Sequence, residues 1–139
     1  MLGRFVGKYS DWAPLPIRLV MGSAFIAYGY PKITDIAGTA EGFAAMGIPL
    51  AAIFGPIVAV VEFIGGICLL LGILTRYWGL LLAMEMTVTT LGVKIPQGAS
   101  FIGGGGYDLD LIFLASSLAL VLLGGGRLSI DKDLLKTDL

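Results

Sequence analysis

The sequence predicts an all-α integral membrane protein, a four-helix bundle with both termini in the cytoplasm. Three observations carry this. Of 139 residues, 57% are hydrophobic and 14% are charged, and the mean hydropathy is +0.93. An ordinary soluble domain runs about 45–50% apolar and about 25% charged. A chain this short could not keep so much apolar surface out of water, because small domains leave much of their surface exposed. The apolar residues also gather into four continuous runs. Runs that do not alternate at period two argue against a membrane barrel, and runs with so little polar face argue against a soluble bundle. The third observation is the uneven distribution of cations between the two predicted sides.

Taken in order, Arg4 and Lys8 precede the first run. Pro14, Pro16 and Arg18 interrupt the pattern of a cleavable signal, and no small-residue cleavage site follows. The first run covers residues 13–30. Pro14 and Pro16 suit the first turn of a helix, where a missing N–H costs little, and Pro31 is expected to end it. The outer loop 31–47 is amphiphilic, with Ile36, Phe43, Met46 and Ile48 nearby among small and acidic residues. It predicts a short surface helix or a re-entrant turn. The second run, 48–74, is the longest and exceeds the roughly 20 residues a bilayer crossing needs. The third and fourth runs, 77–93 and 109–124, are short spans, as is the first, and would be met by tilt or local thinning. The outer loop 94–108 holds Gly103-Gly104-Gly105-Gly106, which lacks the ending of a phosphate loop and is expected to be mobile. Gly124, Gly125 and Gly126 stop the fourth helix. In the cytoplasmic tail 125–139, Ser129 is placed to cap a short helix with Asp131 in its first turn, and Leu134 and Leu135 to dock on the membrane surface. The whole chain is read as one membrane domain.

Four crossings put Arg4, Lys8, Arg76, Arg127, Lys132 and Lys136 on one side and only Lys32 and Lys94 on the other. Cytoplasmic loops carry the excess of Lys and Arg, so both termini are assigned to the cytoplasm of a multi-pass protein of the cell membrane. Tyr9, Trp12, Tyr77 and Trp78 fall at the inner interface, and Tyr28, Tyr30, Phe101 and Tyr107 at the outer, as an aromatic belt would.

The net charge of −1 gives no electrostatic case for nucleic acid. There is no histidine, and Cys68 is the single cysteine. The usual donors for haem, copper or zinc are therefore lacking, and so is any intrachain disulfide. No metal site and no covalently held cofactor is expected. In any redox chemistry, a mobile carrier or a partner subunit must bring the electrons. Cys68, Met84 and Met86 read as packing residues, and Gly65-Gly66 as a place where helices approach closely.

Arg18, Glu62 and Glu85 carry the chemistry. At 1.5 Å per residue, Glu62 lies about 18 Å and Glu85 about 14 Å from the inner end of its run, near the middle of a core roughly 30 Å thick. Arg18 is only about 6–7 Å deep, where its long side chain can reach either way. A buried carboxylate is costly unless paired. The simplest arrangement pairs Arg18 with one glutamate and leaves the other protonated. Glu62 and Glu85 are thus the candidate proton-transfer residues, since intramembrane ionisable groups mark proton and substrate pathways. The same groups would equally hold helices together, at about 0.6 kcal/mol per interhelical hydrogen bond. Arg18, Lys32 and Asp108 are the candidate ligand-binding residues. Lys32, Asp108, Asp110 and Lys94 fall together at the outer face as a polar mouth, although the helix dipole alone accounts for an acid at a helix start.

The ordered set of features resembles the DoxX family. Arg18 to Lys32 reads RLVMGSAFIAYGYPK, similar to the family's first helix, and Gly42-Phe43 with Gly47-Ile48-Pro49 matches the following loop. Glu62-Phe63-Ile64-Gly65-Gly66 with Leu71-Gly72-Ile73-Leu74-Thr75-Arg76 resembles the second-helix signature. Tyr107-Asp108 is similar to the acidic start of the fourth helix, and Gly124-Gly125-Gly126-Arg127-Leu128-Ser129-Ile130-Asp131 to the closing motif. Two positions depart from the pattern: Gly125 stands where the motif usually has proline, and Asp108 where the acid is usually glutamate. The resemblance implies a four-helix membrane protein. It also implies a link to quinone, because DoxD/DoxA proteins form a thiosulfate:quinone oxidoreductase and DoxX is linked to a terminal quinol oxidase. The expected function is a subunit of a quinone- or quinol-linked oxidoreductase or respiratory complex whose intramembrane carboxylates handle protons. The alternatives are a non-catalytic scaffold subunit and a small-molecule transporter. The expected partners are the lipid bilayer, a redox partner subunit, and other copies or chains in a homo- or hetero-oligomer.

Overall fold

Each apolar run becomes a helix whose ends are set by local chemistry. A computed structural model describes residues 2–137; the last two residues of the predicted tail lie outside it. The helices are α1 (Leu2–Gly7), α2 (Pro14–Thr34), α3 (Ile36–Ala45), α4 (Ala51–Leu71), α5 (Thr75–Val88), α6 (Asp108–Leu123) and α7 (Ile130–Asp133). A 3-10 turn, Ser10–Trp12, precedes α2, and a π-helical segment, Thr89–Lys94, continues α5. No strand occurs among the described residues.

α2 begins at Pro14 as expected but runs through Pro31 to Thr34. Pro31 sits in the last turn, where its missing N–H forfeits one ladder bond, that to the Ala27 carbonyl, and the Thr34 hydroxyl donates back to the Tyr30 carbonyl at 2.8 Å. Asp35 then accepts from the Gly38 N–H at 2.9 Å and caps α3, the predicted surface helix. The second run holds one helix, α4, three residues shorter at each end than expected. Leu50 and Leu74 adopt the left-handed conformation on either side of α4, and Gly72, also left-handed at φ 70°, ends it with its N–H on the Cys68 and Leu69 carbonyls. The third run starts two residues earlier than expected and ends in the π segment, where the Ile95 N–H reaches the Thr90 carbonyl at 3.0 Å.

α2 packs on α4, α4 on α5, α5 on α6, and α6 back on α2. Successive partners are antiparallel: Gly22 meets Gly66 while Gly29 meets Phe63, and Gly79 meets Ser117. A Cβ on Gly66 would lie 2.7 Å from the Ile26 nitrogen, so α2 and α4 approach at a distance only glycine permits. Between the helices lie Met21, Phe25, Leu69, Leu82, Met86, Phe113 and Leu120. Phe25 and Phe113 stack with ring centroids 5.0 Å apart.

α4 shows two faces. Inward it turns Ala51, Gly55, Ala59, Glu62, Gly65, Gly66 and Leu69. Outward it exposes Ile53, Val60 and Ile64. Large apolar residues outside and small ones inside is the pattern of a helix in lipid. Among the described helices, α4 alone is long and apolar enough by itself to cross a membrane, and only 33% of its apolar window is buried in the molecule.

Candidate functional site

Two buried polar centres sit in different halves of the molecule. The first is built around Arg18, which is 0% exposed. Its Nε donates to the Leu69 carbonyl at 2.9 Å and its Nη2 to the Leu70 carbonyl at 3.1 Å, the open end of α4. Its remaining N–H groups reach the carbonyls of Gly125 at 2.8 Å, Arg127 at 3.3 Å and Leu128 at 3.0 Å. A cation at a helix C-terminus is favoured by the dipole. Asp131 makes the opposite contact at the start of α5, accepting from the N–H groups of Leu74 at 2.8 Å and Thr75 at 2.9 Å and from the Thr75 hydroxyl. The closing motif is therefore clamped between the ends of two consecutive helices. Gly72 allows this, because a Cβ there would lie 2.6 Å from Arg18 Nη2.

This corrects the expected pairing of Arg18 with a glutamate. A guanidinium has five N–H donors, and backbone carbonyls take all of them. The cation that meets Glu62 is Lys32, whose Nζ is hydrogen-bonded to Glu62 Oε2. The local sequence explains it. Gly29 lets α2 close on the α4 backbone at Phe63, and Lys32, three residues on, shares that face.

The second centre is a cavity of about 930 Å³ between α2, α4, α5 and α6, lined by Lys32, Glu62, Glu85, Lys94 and Asp110 and otherwise mostly by apolar side chains such as Phe25, Phe43, Met84 and Phe113. Glu85 faces Glu62 within reach of a carboxyl–carboxylate hydrogen bond, and no donor reaches Glu85 Oε2. Across the cavity, Lys94 Nζ lies 2.9 Å from Asp110 Oδ1 and 3.0 Å from the Gly106 carbonyl. Two carboxyls beside one ammonium are neutral only when they hold one proton between them. The Lys94–Asp110 pair balances itself.

Of the predicted site residues, Lys32, Glu62 and Glu85 come together in the cavity. Arg18 and Asp108 are not among its lining residues. Asp108 opens α6 half-buried, its N–H on the Phe101 carbonyl at 3.0 Å. Lys94 and Asp110, placed only in the polar mouth from the sequence, are cavity residues. The usable signal was their position at the end of the third run and the start of the fourth, where one loop returns the chain and makes the two face each other.

The fold and this site define a helical membrane protein whose interior holds paired charges around an apolar cavity. The chain belongs to the DoxX family, whose model matches residues 13–95. It is 30% identical over 126 residues to the Bacillus subtilis protein named "Putative oxidoreductase CatD", covering 91% of this chain and 90% of that one. It is 34% identical to the inner membrane protein YqjF of Escherichia coli, over 90% of this chain and 94% of the relative. It is 33% identical to a membrane protein of Mycobacterium tuberculosis, over 86% and 80% respectively. No solved structure matches it.

Proposed function

We propose that this chain is a multi-pass, four-helix membrane subunit of a quinone- or quinol-linked oxidoreductase, with its termini in the cytoplasm and its cavity receiving the quinone head. The observation that carries this reading is the cavity itself. Its volume of about 930 Å³ falls in the range of small-molecule sites, about 300–1,000 Å³ and mostly apolar with a few convergent polar groups. Those groups fit a quinone. Lys32 and Lys94 bring N–H donors for carbonyl oxygens, and Glu85 Oε2 is a buried acceptor without a partner. A bound quinone would supply the electron-accepting chemistry. The protein's own work is to orient the head between the two ammonium groups, exclude bulk water, and hold or release the proton shared by Glu62 and Glu85. The oxidoreductase wording in the name of the Bacillus subtilis relative is in keeping with this. The exposed Leu80 of α5, and Ile112, Leu118 and Leu122 of α6, none of them in the cavity lining, support lipid on the outside of those helices as well.

The test is purification in mild detergent followed by mass spectrometry of the organic extract. The expected result is a quinone near stoichiometry with the chain and, when quinone is titrated back, an affinity about tenfold weaker in Lys32→Met, roughly 1.4 kcal/mol. A wild-type protein that carries no quinone, and takes none up when supplied, overturns the proposal.

A further inference from the structure

Among the described residues, four buried side-chain atoms lack a hydrogen-bond partner: Glu85 Oε2, Thr90 Oγ1, Asp110 Oδ2 and Ser117 Oγ. Buried polar atoms are normally matched by protein or by ordered water, and leaving one bare is unfavourable. Two of the four, on Glu85 of α5 and Asp110 of α6, belong to cavity-lining residues, and a third, on Thr90, lies in the π segment five residues after Glu85, next to the lining residue Thr89. Thr90 is 3% exposed and Asp110 7%. The π segment matters here. The Thr87 hydroxyl, still on the α-helix, donates to the Ala83 carbonyl four residues back at 2.8 Å, whereas the Thr90 hydroxyl has no such partner. Single wide turns of this kind recur at functional sites.

Asp110 is held asymmetrically. Oδ1 is bound by Lys94, and Lys94 is anchored in turn to the Gly106 carbonyl of the glycine-rich loop. Oδ2 is bare. Glu85 and Asp110 line the same cavity and lie close enough to act on each other electrostatically. The charged groups around this space are Lys32 from α2, Glu62 from α4, Glu85 from α5, Lys94 from the π segment and Asp110 from α6.

We propose that water bridges Asp110 Oδ2 to Glu85 Oε2 alongside the Thr90 hydroxyl, making Asp110 the port through which protons from the α5–α6 loop reach the Glu62–Glu85 pair. An O–H bond of a hydronium ion in the loop water breaks as its proton passes to Asp110 Oδ2, leaving a neutral water outside. That carboxyl gives the proton to the bridging water, which passes one of its own to Glu85. One proton enters, no electron moves, and Lys94 remains an ammonium throughout. The route deepens the proposed function, since it rests on the carboxyl pair holding a proton, but its test contains no quinone.

The test follows the infrared stretching band of the protonated carboxyl in lipid nanodiscs after transfer to D₂O. Glu85→Gln should remove or shift the band, which assigns it to the pair. Asp110→Asn should retain the band and slow its deuterium shift at least ~10-fold, the scale of a lost proton-transfer group, and Asp110→Glu should restore the rate. Thr90→Val, which disturbs no ion pair, should slow it as well and decides the matter if Asp110→Asn fails to fold. A band that exchanges at the wild-type rate in Asp110→Asn, or in Thr90→Val where that variant decides, overturns the port and leaves the pair standing. Failure of Asp110→Glu to restore the rate also overturns the port, by assigning the loss to packing. A wild-type protein without the band overturns the proton-holding pair and the port with it.

Discussion

At the scale of single residues, Arg18 and Glu62 show what a charge in an apolar run does and does not reveal. Both stand out in the sequence because charges inside membrane helices are costly. Their partners were not equally legible. Arg18 bonds only backbone carbonyls, five of them from α4 and the closing motif, and a carbonyl has no sequence signature. Glu62 takes Lys32, which does have one, but the pairing depends on the close approach at Gly29. The clamp reading makes a definite prediction. Arg18→Met leaves several carbonyls bare and should lower stability by roughly 3 kcal/mol, given about 1.5–3 kcal/mol for a hydrogen bond to a charged group and incomplete additivity. Arg18→Lys should recover little of it, since a point charge cannot reproduce the planar fork. Thermal unfolding in detergent measures both, and a variant as stable as wild type would remove Arg18 from the clamp. Quinone retention, if tied only to the cavity, should survive in whatever fraction of Arg18→Lys stays folded.

At the scale of elements, the apolar runs placed the helices and hid some of their ends. The run 48–74 looked longer than its helix because the residues that flank α4, Leu50 and Leu74, are apolar yet in left-handed turns, and hydropathy does not register a backbone angle. α1 has no run to announce it. The π segment is likewise invisible, since its TTLGVK reads as the end of an apolar stretch. The glycines were more informative. Gly65-Gly66 was read as a close-approach site, and Gly66 does sit against Gly22 and Ile26 of α2. Gly66→Val should therefore wedge α2 from α4, at about 1–3 kcal/mol for overpacking a tight contact. Ile64→Ala, two residues away on the exposed face, should stay within about 0.5 kcal/mol. Thermal midpoints of the two variants side by side check this, and equal effects would mean that the two faces of α4 are not distinct.

At the scale of the whole molecule, the ends of the chain meet. The Arg127 N–H donates to the Asp11 carbonyl at 2.9 Å, Lys132 pairs with the Asp11 carboxylate at 2.8 Å, and the Arg127 guanidinium lies 5.3 Å from the Trp12 ring centre. The hydrogen bond and charge of Lys132 hold the Asp11 carboxyl below the usual aspartate range. What this exposed pair contributes is present above that range and lost as the pH falls through it. The contact sets the two ends of the described chain side by side, as the proposed even number of crossings requires, and the cytoplasmic side proposed for them rests on the cation excess. The loop carrying Ser100 and the Lys94–Asp110 end of the cavity then open to the other side, so protons would be exchanged there and not with the cytoplasm. Single cysteines at Ser10→Cys, Ser100→Cys and Thr137→Cys, each in a Cys68→Ser background, test this at exposed positions. In intact cells, a membrane-impermeant thiol reagent should label only Ser100→Cys, and all three should react after the membrane is opened. Labelling of Ser10→Cys and Thr137→Cys instead would invert the protein and turn the proton port toward the cytoplasm. Labelling of only one terminus would mean an odd number of crossings and overturn the four-crossing reading.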